Sequence, residues 1–281
     1  MPFGQNRVLI FTRMDAPTAT TAITKRSGPV LAGLALVGDA SIFGFRSVAS
    51  AFRRPFELRE IVRQIGEVGY LSLPLIAASG LAVGAVMSMH TRATLARFGA
   101  EASIPAALAL ALVRETGPLV AALLVSGRVG ASIGAELGAM RVTEQIDALE
   151  TLAVDSFKYL AVTRIVACTL ALPILTTVMN FTGMLGGFLA EHAASGMSFE
   201  LYFRRAFSVI EFSELIPATL KTAVFGFIIG TLSSYLGYGA SGGSAGVGRA
   251  STRSVVYSSI CLILANVLLV RGISFLLPGS P

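Results

Sequence analysis

The sequence predicts an all-α integral membrane protein with five transmembrane helices, preceded by an amphipathic helix that lies in the membrane interface. Three observations carry that expectation. Hydrophobic residues make up 54% of the chain and charged residues only 14%, against roughly a quarter charged in soluble domains. Five stretches reach the ~20 apolar residues that cross a bilayer. The Lys and Arg residues fall mostly on one side of those stretches, as cytoplasmic loops require.

The elements follow in order. Residues 1–27 mix Arg7, Arg13, Lys25 and Arg26 with Thr and Pro and lack a continuous apolar core ending in a cleavage-like site, so they read as a poorly ordered cytoplasmic tail rather than a secretory signal. Residues 28–281 form one continuous unit. Within it, Val30–Phe52 is almost long enough to span, but Asp39 and Arg46 interrupt it, while Ile42, Phe45, Ala49 and Phe52 recur at helical spacing on one face. With this helix in the interface, one side holds 15 Lys/Arg, in the N-terminal region, 128–164 and 239–253, against four in 90–103 and 191–214. A sixth span would instead export the basic tail, so an interfacial helix and a cytoplasmic N-terminus are expected.

The first span, Tyr70–Met89, is free of charge. The second, Ile104–Gly127, is interrupted only by Arg114 and Glu115, in the run Arg114-Glu115-Thr116-Gly117-Pro118. A charge at membrane depth costs roughly 2.5–3.5 kcal/mol on insertion scales, so these two are expected to face a partner or a cavity. After this span a charged helix, Glu136–Glu150, is expected on the cytoplasmic side. Leu137, Met140, Ile146 and Leu149 give it an apolar side, and Glu136, Glu144 and Asp147 are open to a partner. Ile165–Ala190 is uncharged, Leu215–Leu236 carries only Lys221, and Ser254–Val270 lies between Arg253 and Arg271.

Small residues at four-residue spacing, Gly80/Gly84, Gly130/Gly134/Gly138, Gly183/Gly187 and Gly226/Gly230, let helix backbones approach closely in lipid and predict a tight bundle, with a possible subunit contact.

Several chemistries fail on inspection. Gly237, Gly239 and Gly242 fit a dinucleotide-binding spacing but follow a membrane helix rather than a strand, and Gly243–Ala250 imitates a phosphate loop with Arg249 and Ala250 where Lys and Ser/Thr are needed. No cofactor is therefore expected, and the chain does not bind ATP by itself. Cys168 and Cys261 lie inside apolar runs as packing residues, with neither disulfide nor metal spacing. His90 and His192 are far apart, at expected loop borders, so no metal site is expected. The formal charge of +6 is spread beside apolar segments, where it meets headgroups rather than nucleic acid.

Three separated runs then carry a resemblance. Arg114–Asp155, the sequence Lys221-Thr222-Ala223-Val224-Phe225-Gly226, and Ser244–Val256 together resemble the MlaE/YrbE permease family, over about residues 30–277. The resemblance implies the non-catalytic membrane subunit of an ABC transporter that moves phospholipid or a related lipid between a bacterial inner membrane and a periplasmic carrier. Plastid members share the pattern. It further implies a homodimer of permease subunits, a separate pair of ABC ATPase subunits, and an MCE-domain lipid-binding protein. The segment 136–150 becomes a coupling helix, with Glu136, Arg141, Glu144 and Asp147 as candidate contacts to the ATPase. Arg114, Glu115, Lys221 and Arg249 match the family's polar cavity positions, and Asn266 stands where many members have Asp. An ion-coupled secondary transporter using Arg114, Glu115 and Lys221 as a relay is the alternative, distinguished by independence from a nucleotide-hydrolysing partner. A lipid-modifying enzyme would need clustered His, Cys or Asp, which the chain lacks.

Overall fold

A computed structural model describes residues 29–53 and 57–276. The N-terminal tail therefore lies outside the described residues. Among them there is no strand, and the chain divides at Arg46/Ser47 into two compact units. The first unit contributes, among the described residues, the opening part of helix α1 (Pro29–Ala51), on which Ile42 and Phe45 are exposed, Phe45 at 78%. Ala49 and Phe52, from the same expected face, are likewise exposed.

Among the described residues, the second unit contains five helical stretches long and apolar enough to cross a membrane: Leu58–Phe98, Glu101–Val142, Phe157–Ser195, Leu215–Tyr238 and Gly243–Gly272. Each contains one of the five expected spans. The first is α2 (Leu58–Leu95), ended by a 3-10 turn. The second is broken into α3 (Ile104–Ala111), α4 (Gly117–Val125) and α5 (Ala131–Val142) by π-helical turns at Leu112–Thr116 and Ser126–Gly130. A short α6 (Gln145–Thr151) precedes a third π-turn, Phe157–Val162, which opens α7 (Thr163–Ser195). The amphipathic α8 (Phe199–Phe207) leads to α9 (Phe212–Tyr238) and α10 (Gly243–Leu276).

The packing of α2 explains the glycine spacing. Its buried residues are Glu60, Gln64, Val68, Ser72, Ile76, Gly80, Gly84 and Ser88, one every four residues. A period of 4 exceeds the 3.6 residues of a helical turn, so the stripe winds around the helix in the sense that right-handed packing requires. Its partner is α7, where a Cβ on Gly84 would stand 1.8 Å from the Gly183 carbonyl oxygen and one on Gly80 2.9 Å from that of Met179. On another side α7 meets α9, where a Cβ on Gly226 would lie 2.3 Å from the Cys168 carbonyl. The four-residue glycine pairs thus serve contacts within one chain. In a membrane, where apolar burial drives little association, such backbone proximity and its van der Waals contact hold helices together.

The main core joins α4, α7 and α9 through Ala121, Val125, Leu172, Leu175, Met179 and Phe225. A second cluster seats α8 on α3 through Leu108, Leu112, Met184, Tyr202 and Phe203. Arg92 of α2 pairs with the buried Glu191 of α7 at that end of the bundle. Cys168 and Cys261 are free thiols, the first fully buried. The outer face of α10 exposes Val256, Ile260, Leu264, Val267 and Leu268, as a helix facing hydrocarbon would.

Candidate functional site

The charged residues of the second span sit on its first π-turn. There the Gly117 N–H reaches back five residues to the Leu112 carbonyl, so the turn holds one residue more than an α-helix would. Next comes Pro118, which has no N–H for its normal helical acceptor four residues earlier, the carbonyl of Arg114. That oxygen accepts instead from Lys221 Nζ of α9, at 2.9 Å. A proline inside the span thus makes a place for a lysine from another helix.

The same ammonium meets Glu115 Oε1 at 2.9 Å, with the lysine side chain only 2% exposed and the glutamate 45% exposed. The other carboxylate oxygen, Oε2, accepts from Asn266 Nδ2 of α10 at 3.2 Å. Three helices therefore converge on one carboxylate, and each of its oxygens has a donor. Asn266 suits this role because an amide can donate, whereas a carboxylate there would place like charge against Glu115. Among the described residues, Asn266 Oδ1 is buried without a hydrogen-bond partner.

Four of the five expected cavity residues are thus brought together: Arg114 and Glu115 on the π-turn, Lys221 and Asn266 facing it. Arg249 is not. It lies 17 residues before Asn266 on α10, about 25 Å away at 1.5 Å per residue, is exposed, and donates to the Ser241 carbonyl at 3.3 Å.

The structure adds polar residues that sequence reasoning did not single out. Asn180 of α7 packs against the end of the π-turn, its Oδ1 only 1.7 Å from where a Gly117 Cβ would be; an amide within an uncharged span was the available signal. The second π-turn carries Arg128, whose Nε donates to Ser72 Oγ at 2.9 Å and whose Nη2 donates to the Val68 carbonyl at 3.1 Å, tying α4 and α5 to α2.

The expected charged helix, Glu136–Glu150, is divided. α5 stops at Val142 and α6 begins at Gln145, with Glu144 between them at φ 58°, a left-handed conformation unusual for a residue with a Cβ. Arg141 and Asp147 bridge the break at 2.6 Å. Glu136 is held by Arg164 of α7 at 3.1 Å and by the Ser132 hydroxyl at 2.9 Å. Of the acidic residues expected to be open to a partner, Glu136 and Asp147 are engaged within the chain, and Glu144 is exposed at the corner. The apolar side agrees with expectation: Leu137 and Ile146 are buried, and Met140 and Leu149 pack on the main core. Glu150 accepts from Ser156 Oγ at 2.7 Å, and Tyr238 OH donates to the Ser156 carbonyl at 2.8 Å, linking α6 to the end of α9. His192 lies in the last turn of α7, with its Nδ1 2.9 Å from the Met197 carbonyl, and His90 lies within α2, five residues before its end.

Five apolar helices with a charged cluster at membrane depth define a multi-pass membrane protein of the transporter class. The chain matches the family described as Permease MlaE over residues 61–271, and it belongs to that family of ABC transporter permeases. It is 42% identical over 233 residues to a probable ABC transporter permease protein of Rickettsia felis, covering 83% of this chain and 90% of that one. It is 32% identical to the intermembrane phospholipid transport system permease protein MlaE of Haemophilus influenzae, over 85% of this chain and 87% of that protein. It is also 34% identical to the chloroplastic protein trigalactosyldiacylglycerol 1 of Arabidopsis thaliana, over 75% of this chain and 60% of that one.

Proposed function

We propose that this chain is the membrane subunit of an ABC transporter that moves phospholipid or a related lipid between the cell inner membrane and a periplasmic MCE-domain carrier. It works as a homodimer with a pair of separate ATPase subunits. The observation that carries the reading is the cluster of Glu115, Lys221, Asn266 and Arg114 within the apolar spans, with Lys221 buried and Glu115 nearly half exposed on the surface of a single chain. A carboxylate facing hydrocarbon is costly. A second copy across that face would enclose it in a cavity with apolar walls for acyl chains and a polar floor for a headgroup. Arg114 is the candidate phosphate contact, since a guanidinium presents a planar fork of donors.

In this reading α1 lies in the interface, with Ile42, Phe45, Ala49 and Phe52 turned into the membrane. The segment with Glu136, Arg141, Glu144 and Asp147 meets the ATPase, and its corner at Glu144 is the exposed point of contact. Residues 28–281 form the permease domain, with 1–27 as a cytoplasmic tail. Nucleotide binding shifts the cavity between states only as far as the ATPase prefers one of them.

The test is lipid transfer by the complex reconstituted with its ATPase and carrier, with and without ATP. ATP-dependent transfer of a tagged phospholipid is expected, and it should be lost with Glu144→Lys, Asp147→Lys while the permease still inserts. Transfer that proceeds without the ATPase would instead favour an ion-coupled transporter.

A further inference from the structure

The acidic segment assigned above to the ATPase is joined unevenly to the rest of the bundle. α5 packs chiefly against α9 and α10, whereas α7 packs chiefly against α2 and α9. Across from α5 to α7 reaches an ion pair, Arg164 with Glu136 at 3.1 Å. The pair is lopsided: the arginine side chain is 7% exposed and the glutamate 50%. The carboxylate is therefore within reach of an approaching protein, and the guanidinium is not.

Arg164 is held firmly from behind. Its Nη1 donates to the Leu160 carbonyl at 3.0 Å, inside the third π-turn. Its main chain sits on a close contact with α9, where a Cβ on Gly230 would stand 2.8 Å from Ile165 Cα. Its charge also acts on Glu60 of α2, a buried carboxylate. From Arg164, α7 continues as one helix to Asn180, which packs against the end of the first π-turn. That is 16 residues, about 24 Å at 1.5 Å per residue.

A buried guanidinium is costly to desolvate, so such a pair adds little net stability. What it supplies is a fixed separation between two elements. Neither can move alone without stranding a buried charge.

We propose that Arg164 is a positioning residue of the transport cycle: its pair with Glu136 carries displacement of the ATPase-facing segment into α7, and along α7 to the polar cluster on the first π-turn. This rests on the transport reading above and names the route by which hydrolysis reaches the cavity.

The experiment measures ATP hydrolysis and transfer of a tagged phospholipid in the same reconstituted complex and takes their ratio, lipid moved per ATP. Arg164→Gln should lower that ratio about tenfold, within the usual range for coupling between distant sites, while hydrolysis continues. Arg164→Lys keeps the charge but not the planar fork, and should hold the ratio within about threefold of the wild type. Glu136→Gln breaks the same pair from its exposed side and should lower the ratio as Arg164→Gln does. The double variant should be no worse than either single change, because both remove one link. The ratio is taken on assembled complex, so poorer folding reduces yield without lowering it; if Arg164→Gln does not assemble, Glu136→Gln and Arg164→Lys decide. An unchanged ratio in Arg164→Gln or Glu136→Gln would overturn the inference and leave the transport reading intact. So would a ratio for Arg164→Lys as low as for Arg164→Gln, or losses that multiply in the double variant. Absence of ATP-dependent transfer by the wild type would overturn the transport reading, and this inference with it.

Discussion

Lys221 and Glu115 form an asymmetric pair: their charges meet at 2.9 Å, but the lysine is 2% exposed and the glutamate 45%. The asymmetry predicts unequal effects of breaking it. Glu115→Gln leaves a buried ammonium without its counter-charge, a change of the kind that costs about 3–5 kcal/mol. Lys221→Met leaves a carboxylate with access to water or a proton and should cost clearly less. The double variant should be milder than the sum of the two, by about 1–3 kcal/mol, because the groups are coupled. A double-mutant cycle on thermal stability of the assembled complex measures this. Additivity, or Lys221→Met as the more damaging single change, would dissolve the pair.

The corner between α5 and α6 supplies a prediction of opposite sign. Glu144 holds φ 58° with a Cβ in place, a conformation that costs of order 1 kcal/mol and that glycine adopts freely. Glu144→Gly should therefore raise thermal stability of the isolated permease slightly, while Glu144→Val lowers it. If this corner also contacts the ATPase through the glutamate, the same Glu144→Gly protein should bind the ATPase less well. Unchanged stability in both variants would argue against strain at this position.

Topology is open to direct labelling. In a Cys168→Ala, Cys261→Ala background, Ala194→Cys near the end of α7 should react with an impermeant thiol reagent added outside intact cells, and Thr151→Cys and Ala19→Cys should not. Ala194 is preferable to its neighbour Ser195, whose hydroxyl contacts the buried Glu191 at 3.1 Å. External labelling of Ala19→Cys with Thr151→Cys shielded would mean that Val30–Phe52 crosses the membrane.

Tyr238→Phe tests the link between α6 and α9. Removing the hydroxyl leaves the Ser156 carbonyl without the donor at 2.8 Å, a loss of about 1 kcal/mol in stability. Ser156→Ala removes the neighbouring contact to Glu150 and should cost a similar amount, with less than additive loss in the double variant. Calorimetry of the purified permease checks both, and two silent substitutions would show that the link carries no weight.

The five spans were legible in sequence because length and lack of charge decide whether a helix crosses a bilayer, and nothing in tertiary packing overrides that. The glycine seams were legible for a related reason: close approach needs small residues at fixed spacing on one face. The π-turns were not. An extra residue in a helix leaves hydropathy unchanged, and Leu112–Thr116 reads as ordinary apolar helix around two charges. Arg114 and Glu115 stood out as costly, but the pairing of Glu115 with Lys221 and Asn266 depends on how three helices meet, which no local pattern encodes. The break at Glu144 was hidden because Val142-Thr143-Glu144-Gln145 contains neither Gly nor Pro. The place of Arg249 relative to the cluster was not legible either: its motif in the resemblance says nothing of distance, and 17 residues of α10 separate it from Asn266.

The contact of Gly84 with Gly183 also sets which mutations a genetic screen could repair. At Gly84 the obstacle to a methyl group is the main chain of α7, 1.8 Å from the would-be Cβ. No exchange of side chains on α7 moves that carbonyl, so loss of function through Gly84→Ala should yield no second-site suppressors there. One turn along the same seam from Gly183, Gly187 looks equivalent in sequence, yet its nearest neighbours are side-chain ends, Tyr202 OH at 2.6 Å and Leu108 Cδ2 at 2.7 Å. Among the described residues, the tyrosine hydroxyl has no hydrogen-bond partner to lose. Gly187→Ala should therefore be rescued by trimming those neighbours, as in Tyr202→Phe with Leu108→Val, which makes one glycine of the seam evolutionarily negotiable and the other fixed.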